Sequence, residues 1–365
     1  MAEVPPVIAT SEPQLEVRAL RKYFPLKQPL LARLRGRAPE AVKAVDDVDV
    51  SVFKGEVLGL VGETGCGKST LARCIAGLYD ADSGEIRLDG NLLSAKRDSS
   101  LRRRIQMVFQ DPYSSLNPRM TVTQTVGEIL RVHGKVPRKD VVAAVDEPLS
   151  LVGFPTALKN AYPRSLSGGL RQRVSIARAL AADPEILLAD EPVSALDVSV
   201  QATILNLLDD LRKRLGLTML LITHDMAVVR HLSDRVAVMY LGRIVENAPA
   251  EELFTNPRHP YSVALLSAVP RLEPGRGVPP PAVLGDPPSP IRIPSGCRYH
   301  PRCPLAEEIC RREDPSLEDV PGHPGHTSAC HFAARVDQLV LQTAAQRGER
   351  LLAQQSRAAG DHEES

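Results

Sequence analysis

Residues 57–69 read Val57-Leu58-Gly59-Leu60-Val61-Gly62-Glu63-Thr64-Gly65-Cys66-Gly67-Lys68-Ser69. The first five are an apolar run, the pattern of a strand buried on both faces. Gly62 to Ser69 fits G-x-x-x-x-G-K-[ST], with a helix expected to begin near Lys68. Gly62, Gly65 and Gly67 let the backbone curl so that successive N–H groups point inward and form an anion nest. The helix after the loop, from Lys68, Ser69 and Thr70 onward, adds its positive N-terminal end. Lys68 can reach the β- and γ-phosphates of a nucleotide, and the Ser69 hydroxyl can ligate Mg²⁺. A chance glycine-rich turn would lack the strand before it and the helix after it, and both flanks are present. Cys66 points into the loop as the occupant of a variable position.

Working outward, Ile186-Leu187-Leu188-Ala189-Asp190-Glu191 is a second short apolar strand, ending in two acids about 120 residues later. It delivers Asp190 to the sheet edge where Mg²⁺ is held, with Glu191 beside it to activate or orient an attacking water. Alternation over Gln14–Leu20 and over Val48, Val50 and Val52 predicts half-buried strands, and Ser83–Gly90 is another short strand bounded by turn residues. Thr218–Thr223 is a third buried strand, and Arg235–Glu246 reads as a hairpin turning at Gly242. Val200, Ile204, Leu207, Leu208, Leu211 and Leu215 recur at helical spacing and predict one buried face. About Asp111 to Asp183 reads as helices and loops. Strands alternating with helices imply an α/β fold with a parallel sheet covered on both sides.

Composition limits the alternatives. The 365 residues carry 45 Lys+Arg against 44 Asp+Glu, a net charge of +1, which is no footprint of a nucleic-acid binder. Among the longest apolar runs is Val236–Leu241, far short of the ~18 residues of a spanning helix. The N-terminus has no basic region followed by an apolar one, so the expectation is a soluble, cytoplasmic chain. Lys27–Arg37 is basic and reads as a loop. Nine of the 31 prolines lie between Pro270 and Pro294, too dense for helix or central strand, so this is an extended linker or a proline-rich docking peptide. Beyond it Cys297, Cys303, Cys310 and Cys330 fall within 34 residues at spacings C-x₅-C-x₆-C-x₁₉-C. In a reducing compartment such a quartet points to metal or cofactor ligation, and it is not the paired C-x-x-C of a common zinc site.

Leu166-Ser167-Gly168-Gly169-Leu170-Arg171-Gln172-Arg173 resembles the signature sequence of ATP-binding-cassette (ABC) ATPases, opening a helix expected over Leu170–Ala182. The resemblance implies a P-loop ABC fold: a RecA-like core, an antiparallel β subdomain and a helical signature subdomain, here with a Pro- and Cys-rich C-terminal extension. It also implies that Ser167, Gly168 and Gly169 cap the γ-phosphate of ATP held by a second subunit. Gln110 resembles the Q-loop glutamine that senses Mg²⁺ and the γ-phosphate, Ser194-Ala195-Leu196-Asp197 the D-loop, and His224 the switch histidine. Phe24 aligns with the aromatic that stacks on adenine, with Tyr23 as its rival. Leu170 departs from the pattern, which usually has Gln there.

Val108–Val122, Asp190–Leu208, Ser233–Glu246, Asn256–Pro270 and Pro294–Pro304 are similar to the ATPase subunits of dipeptide and oligopeptide importers. That resemblance implies a catalytic domain over 14–256 (helical part about 111–183), an extension over 257–335, and a partly helical tail over 336–365. It implies ATP and Mg²⁺, a second ATPase subunit as a heterodimer, two membrane permeases, an extracytoplasmic binding protein, and a place on the cytoplasmic face of the membrane. About Gln110 to Leu130 would line a groove for a permease coupling helix. Similar cysteine-bearing tails carry a [4Fe–4S] cluster, here on Cys297, Cys303, Cys310 and Cys330. Zinc is the alternative, with His300 or His331. Nickel, glutathione or glycoside importers share the catalytic residues, and a soluble ABC ATPase acting on ribosomes or DNA is a rival from another class.

Overall fold

The computed structural model describes residues 12–26, 40–94, 97–133, 136–137, 139–267 and 285–337. The basic stretch at Lys27–Arg37, much of the proline-rich segment and nearly all of the tail lie outside these.

The strands are β1 (Leu15–Pro25), β2 (Ala41–Val52), β3 (Val57–Val61), β4 (Ser83–Leu88), β5 (Asn91–Leu92) and β6 (Ile105–Val108). They continue as β7 (Ile186–Asp190), β8 (Thr218–Thr223), β9 (Arg235–Tyr240), β10 (Arg243–Pro249), β11 (Glu318–Asp319) and β12 (Thr327–Ser328). Strands β2-β1-β4-β5 form an antiparallel sheet, and β11-β12-β10-β9-β3-β8-β7-β6 form a second, larger one. In the larger sheet β9, β3, β8, β7 and β6 run parallel, as the alternation of strands and helices predicts.

The reason β7 and β8 are apolar over 186–189 and 219–222 is visible in their register. Leu187, Ala189, Met219 and Leu221 face one core, shared with the helical region. Ile186, Leu188, Leu220 and Ile222 face the other, shared with the antiparallel sheet and helix α1 (Lys68–Ala76). Period-two alternation therefore places each of these side chains in one core or the other, the larger ones contributing about 1.5–3 kcal/mol of burial apiece.

Around these sit α2 (Val122–Val132), α3 (Gly168–Leu180), α4 (Val198–Leu215), α5 (Met226–Leu232), α6 (Ala250–Thr255) and α7 (Pro260–Ser267). The described residues of 111–183 are helices and loops, as the sequence suggests. Helix α4 buries Ile204, Leu205, Leu208 and Leu211. Leu215, expected on that face, is instead exposed in the last turn, where Gly216 in a left-handed conformation ends the helix. The β9–β10 hairpin turns at Leu241-Gly242, both with positive φ, the backbone of a type I′ turn. Strand β6 carries no strong sequence signal: only its pairing with β7 makes it a strand. The extension adds two short strands to the larger sheet. Its β12 pairs with β10 at Glu246–Ser328 and covers an edge that would otherwise present unpaired backbone groups.

Candidate nucleotide site at the carboxyl edge of the sheet

β3 ends at Val61 and the chain curls through Gly62 to Gly67 before α1 begins. Gly62 and Gly67 hold φ values of 154° and 114°. A Cβ there would lie 2.1 Å from the Met239 carbonyl oxygen and 1.9 Å from that of Ala44, so only glycine fits. Lys68 is buried, and its ammonium donates to the carbonyls of Gly62 at 2.7 Å and Glu63 at 3.0 Å. Cys66 is buried too, and burial pushes its thiol pKa upward. It fills space beside Lys68 at 3.8 Å, in keeping with a packing residue.

The neighbouring strand ends converge on this loop. Ser69 Oγ donates to Asp190 Oδ1 at 2.8 Å, joining residues 121 apart in sequence. Asp190 is buried, which pushes its carboxyl pKa up, while the Ser69 hydrogen bond opposes the shift. Glu191 comes next with φ 46°, a left-handed backbone anchored by its N–H to the Ile222 carbonyl. Its Oε2 accepts from Gln110 Nε2 at 2.8 Å and its Oε1 lies 3.1 Å from His224 Nδ1. Two residues from distant parts of the sequence, Gln110 and His224, thus flank the Glu191 carboxylate, in the crevice outside the carboxyl ends of the parallel strands, where α/β sheets bind ligands.

Two sets of expected residues stand apart from that cluster. Ser167 caps α3, its Oγ accepting from the Leu170 N–H at 3.4 Å. Gly168 and Gly169 are inside the first turn, so the helix starts two residues earlier than expected because Ser167 supplies the cap. Leu170 packs against the helical core. Phe24 is half-buried, edge-to-face with Tyr79 at 5.6 Å. Its rival Tyr23 is committed elsewhere, its hydroxyl donating to Asp46.

Sequence reasoning missed a clamp on the phosphate loop. Arg302 forms a two-pronged ion pair with Glu63, both contacts at 2.9 Å, and the Tyr261 hydroxyl accepts from the Glu63 N–H at 2.8 Å. Both partners belong to the segment after Asn256, so the extension holds the loop's first turn in place. No local pattern signals a pair 239 residues apart.

The four C-terminal cysteines are free thiols, close enough to perturb one another. Burial pushes Cys297 and Cys303 up to about 11 and Cys330 up to about 12. Backbone N–H groups of Tyr299, Leu305 and Phe332 point at the sulfurs of Cys297, Cys303 and Cys330 respectively. Each histidine named for zinc has one ring nitrogen on a backbone carbonyl: His300 Nδ1 lies 2.9 Å from that of Cys297 and His331 Nε2 3.1 Å from that of Glu313.

A buried parallel strand, a glycine nest, a lysine and a serine–aspartate pair define a P-loop nucleoside triphosphatase. The ABC transporter family model matches residues 45–194, and the family of the oligopeptide/dipeptide transporter C-terminal region matches 245–310. The chain is 46% identical over 330 residues to the oligopeptide transport ATP-binding protein AppF of Bacillus subtilis, covering 89% of this chain and 98% of that one. It is 47% identical over 327 residues to a Sinorhizobium fredii protein named "Probable peptide ABC transporter ATP-binding protein", covering 89% and 91%. The ATP-binding cassette MJ0796, solved as a dimer in a post-hydrolysis state with ADP and Pi, superposes with a TM-score of 0.56 at 29% identity, covering 65% of this chain and 98% of that one. The chain belongs to the ABC transporter ATP-binding proteins, in the branch that carries the oligopeptide/dipeptide-type C-terminal region. It is an ABC ATPase. Among the described residues no helix is long and apolar enough to cross a membrane.

Proposed function

We propose that this chain is the ATP-hydrolysing subunit of an importer of di- and oligopeptides, seated on the cytoplasmic face of the membrane. The observation that carries the cargo assignment is the C-terminal region over 245–310, which accompanies the cassette in its peptide-transport relatives. Its residues also clamp Glu63 in the phosphate loop.

The chemistry is that of the cluster. The nest at Gly62, Gly65, Cys66 and Gly67 and the start of α1 at Ser69 and Thr70 receive the phosphates, and Phe24 stacks on adenine. Lys68 exchanges the carbonyls of Gly62 and Glu63 for the β- and γ-phosphate oxygens. Ser69, Asp190 and Gln110 offer a hydroxyl, a carboxylate and an amide oxygen, the hard donors that suit Mg²⁺, which supplies charge neutralisation at the phosphates. Glu191 accepts the proton of the attacking water, and His224, more than half exposed, turns toward the γ-phosphate. Ser167, Gly168 and Gly169 serve the ATP of a second ATPase subunit. Val198, beside the Ser194–Asp197 loop, is 82% exposed, an apolar side chain suited to that contact. Two permeases and an external binding protein complete the machine, with the catalytic domain of this chain at 14–256, its extension at 257–335 and its tail at 336–365.

The cysteine quartet fits a [4Fe–4S] cluster better than zinc. Four thiolates around one zinc, with bonds of about 2.3 Å, lie about 3.8 Å apart. Among the described residues no three of these sulfurs fall within 4.8 Å of one another. The backbone N–H groups aimed at three of the sulfurs are the contacts that tune a cluster thiolate. Such a cluster cross-links a segment with little apolar core. Anaerobically purified protein is expected to contain about four irons and four acid-labile sulfides per chain, and Cys330→Ser to lose most of both. Full iron content in that variant overturns the assignment.

Cells carrying Lys68→Ala at matched expression are expected to lose uptake of labelled di- and oligopeptides, because removing one charge-stabilising donor costs about 10²–10³ in turnover. Unchanged uptake in cells without a second peptide importer would leave the ATPase standing and remove the peptide cargo.

A further inference from the structure

Where the extension returns to pair with the edge of β10, three side chains meet on α6. Donor atoms of Glu252, His323 and His326 all lie within 4.8 Å of one another. None of them belongs to the nucleotide site or to the cysteine quartet.

His326 is wholly buried, and its Nε2 sits 2.7 Å from Oε1 of Glu246, which is also wholly buried. Glu246 already accepts from the backbone N–H groups of Arg258 and His259. A carboxylate so occupied acts as an acceptor, which puts a hydrogen on Nε2; in the neutral imidazole Nδ1 is then a bare lone pair. That Nδ1 has no hydrogen-bond partner, and it lies 3.9 Å from Glu252 Oε1. A buried lone pair facing a carboxylate is repulsive unless a cation lies between them. A proton cannot bridge 3.9 Å with a hydrogen bond. Two bonds of about 2.0–2.2 Å to a metal ion span up to about 4.2 Å.

His323 completes the set, its Nδ1 at 2.5 Å from the same Glu252 oxygen. Without an ion, a guanidinium nitrogen of Arg258 donates to its Nε2 at 2.9 Å and its Nδ1–H donates to Glu252. Ligation through Nδ1 places the hydrogen on Nε2 and displaces that guanidinium nitrogen, while Asp337 holds the other arm of Arg258 at 2.6 Å. His323 and Glu252 keep about a quarter of their side-chain surface, so an ion can enter.

We infer that Glu252, His323 and His326 bind a divalent ion of the zinc class, with Glu246 orienting His326. Two imidazoles and one carboxylate are the donor set of three-ligand zinc sites, and nitrogen donors disfavour magnesium and calcium. The ion ties the turn at 323–326 to α6 and so fastens the extension to the cassette. The inference is independent of the cargo.

The test uses the full chain, stripped by chelator, with Zn²⁺ alone as titrant and Co²⁺ as a spectroscopic stand-in. His323→Gln and Glu252→Gln are the variants, because both positions are partly exposed and the buried His326 is left intact. Wild type is expected to bind one Zn²⁺ that survives thiol alkylation, and each variant to bind it at least about tenfold more weakly. Co²⁺ at this site shows no sulfur-to-metal charge-transfer band, which separates it from the cysteines. Equal zinc affinity in both variants, or loss of all bound zinc on thiol alkylation, overturns the site.

Discussion

Glu191→Gln is expected to lower kcat for ATP hydrolysis by about 10²–10⁴-fold, the usual contribution of a positioned general base. ATP affinity should be little changed. Glutamine has the same length and can keep the contact with His224 at its amide oxygen, while its NH₂ opposes the NH₂ of Gln110 until one amide turns. The left-handed backbone at position 191 places no special demand on either side chain. What disappears is the carboxylate that takes the proton of water. Lys68, Ser69 and Asp190, which contact phosphate and Mg²⁺ in the proposed reading, are untouched. Phosphate release under saturating Mg-ATP, with nucleotide binding measured by equilibrium dialysis, separates the two quantities. A loss of binding matching the loss of turnover would assign Glu191 to holding nucleotide instead, and near-normal turnover would remove it from the chemistry.

The second large effect is on stability. Glu246→Ala is expected to cost about 3–5 kcal/mol, because three buried donors lose their acceptor at about 1–3 kcal/mol each. Glu246 is wholly buried on β10 and accepts three donors: the N–H groups of Arg258 and His259, and His326 Nε2. Alanine leaves those donors without an acceptor and without water. The damage should reach the nucleotide site, because Arg258 and His259 lead directly into α7, whose Tyr261 holds the Glu63 N–H. The variant is therefore expected to show both a lower urea midpoint and a raised KM for ATP. Glu251→Ala, on the exposed face of α6, serves as the comparison and should stay within about 0.5 kcal/mol of wild type. A Glu246→Ala midpoint equal to that of Glu251→Ala would show that the buried carboxylate is dispensable.

How far the site is legible in the sequence depends on the range of the physics involved. Lys68 and Ser69 are readable because strand, nest and helix start are contiguous, and each leaves its own periodicity. Asp190 is readable because an apolar run ending in acids delivers them to a strand end. Gln110 and His224 have no local signature of their own, and they become readable through the order of motifs around Ser167-Gly168-Gly169. Sequence places the start of α3 too late because two glycines weigh against a helix by propensity, whereas a serine cap and packing against Leu196 and Val200 outweigh that preference. Leu215 is misassigned because spacing cannot show where a helix leaves the core.

The sequence by itself determined the class of fold, the phosphate loop, the acidic strand end and the presence of four clustered thiols. Each is written in residues near one another or in a periodicity that a strand or helix must obey. Only the tertiary structure decided that Arg302 and Tyr261 clamp Glu63, that β12 closes the edge of β10, and that Glu252, His323 and His326 converge. Those contacts join residues 71 to 239 apart. They are set by strand pairing and by the burial of charges that must find partners, and neither leaves a mark on local sequence.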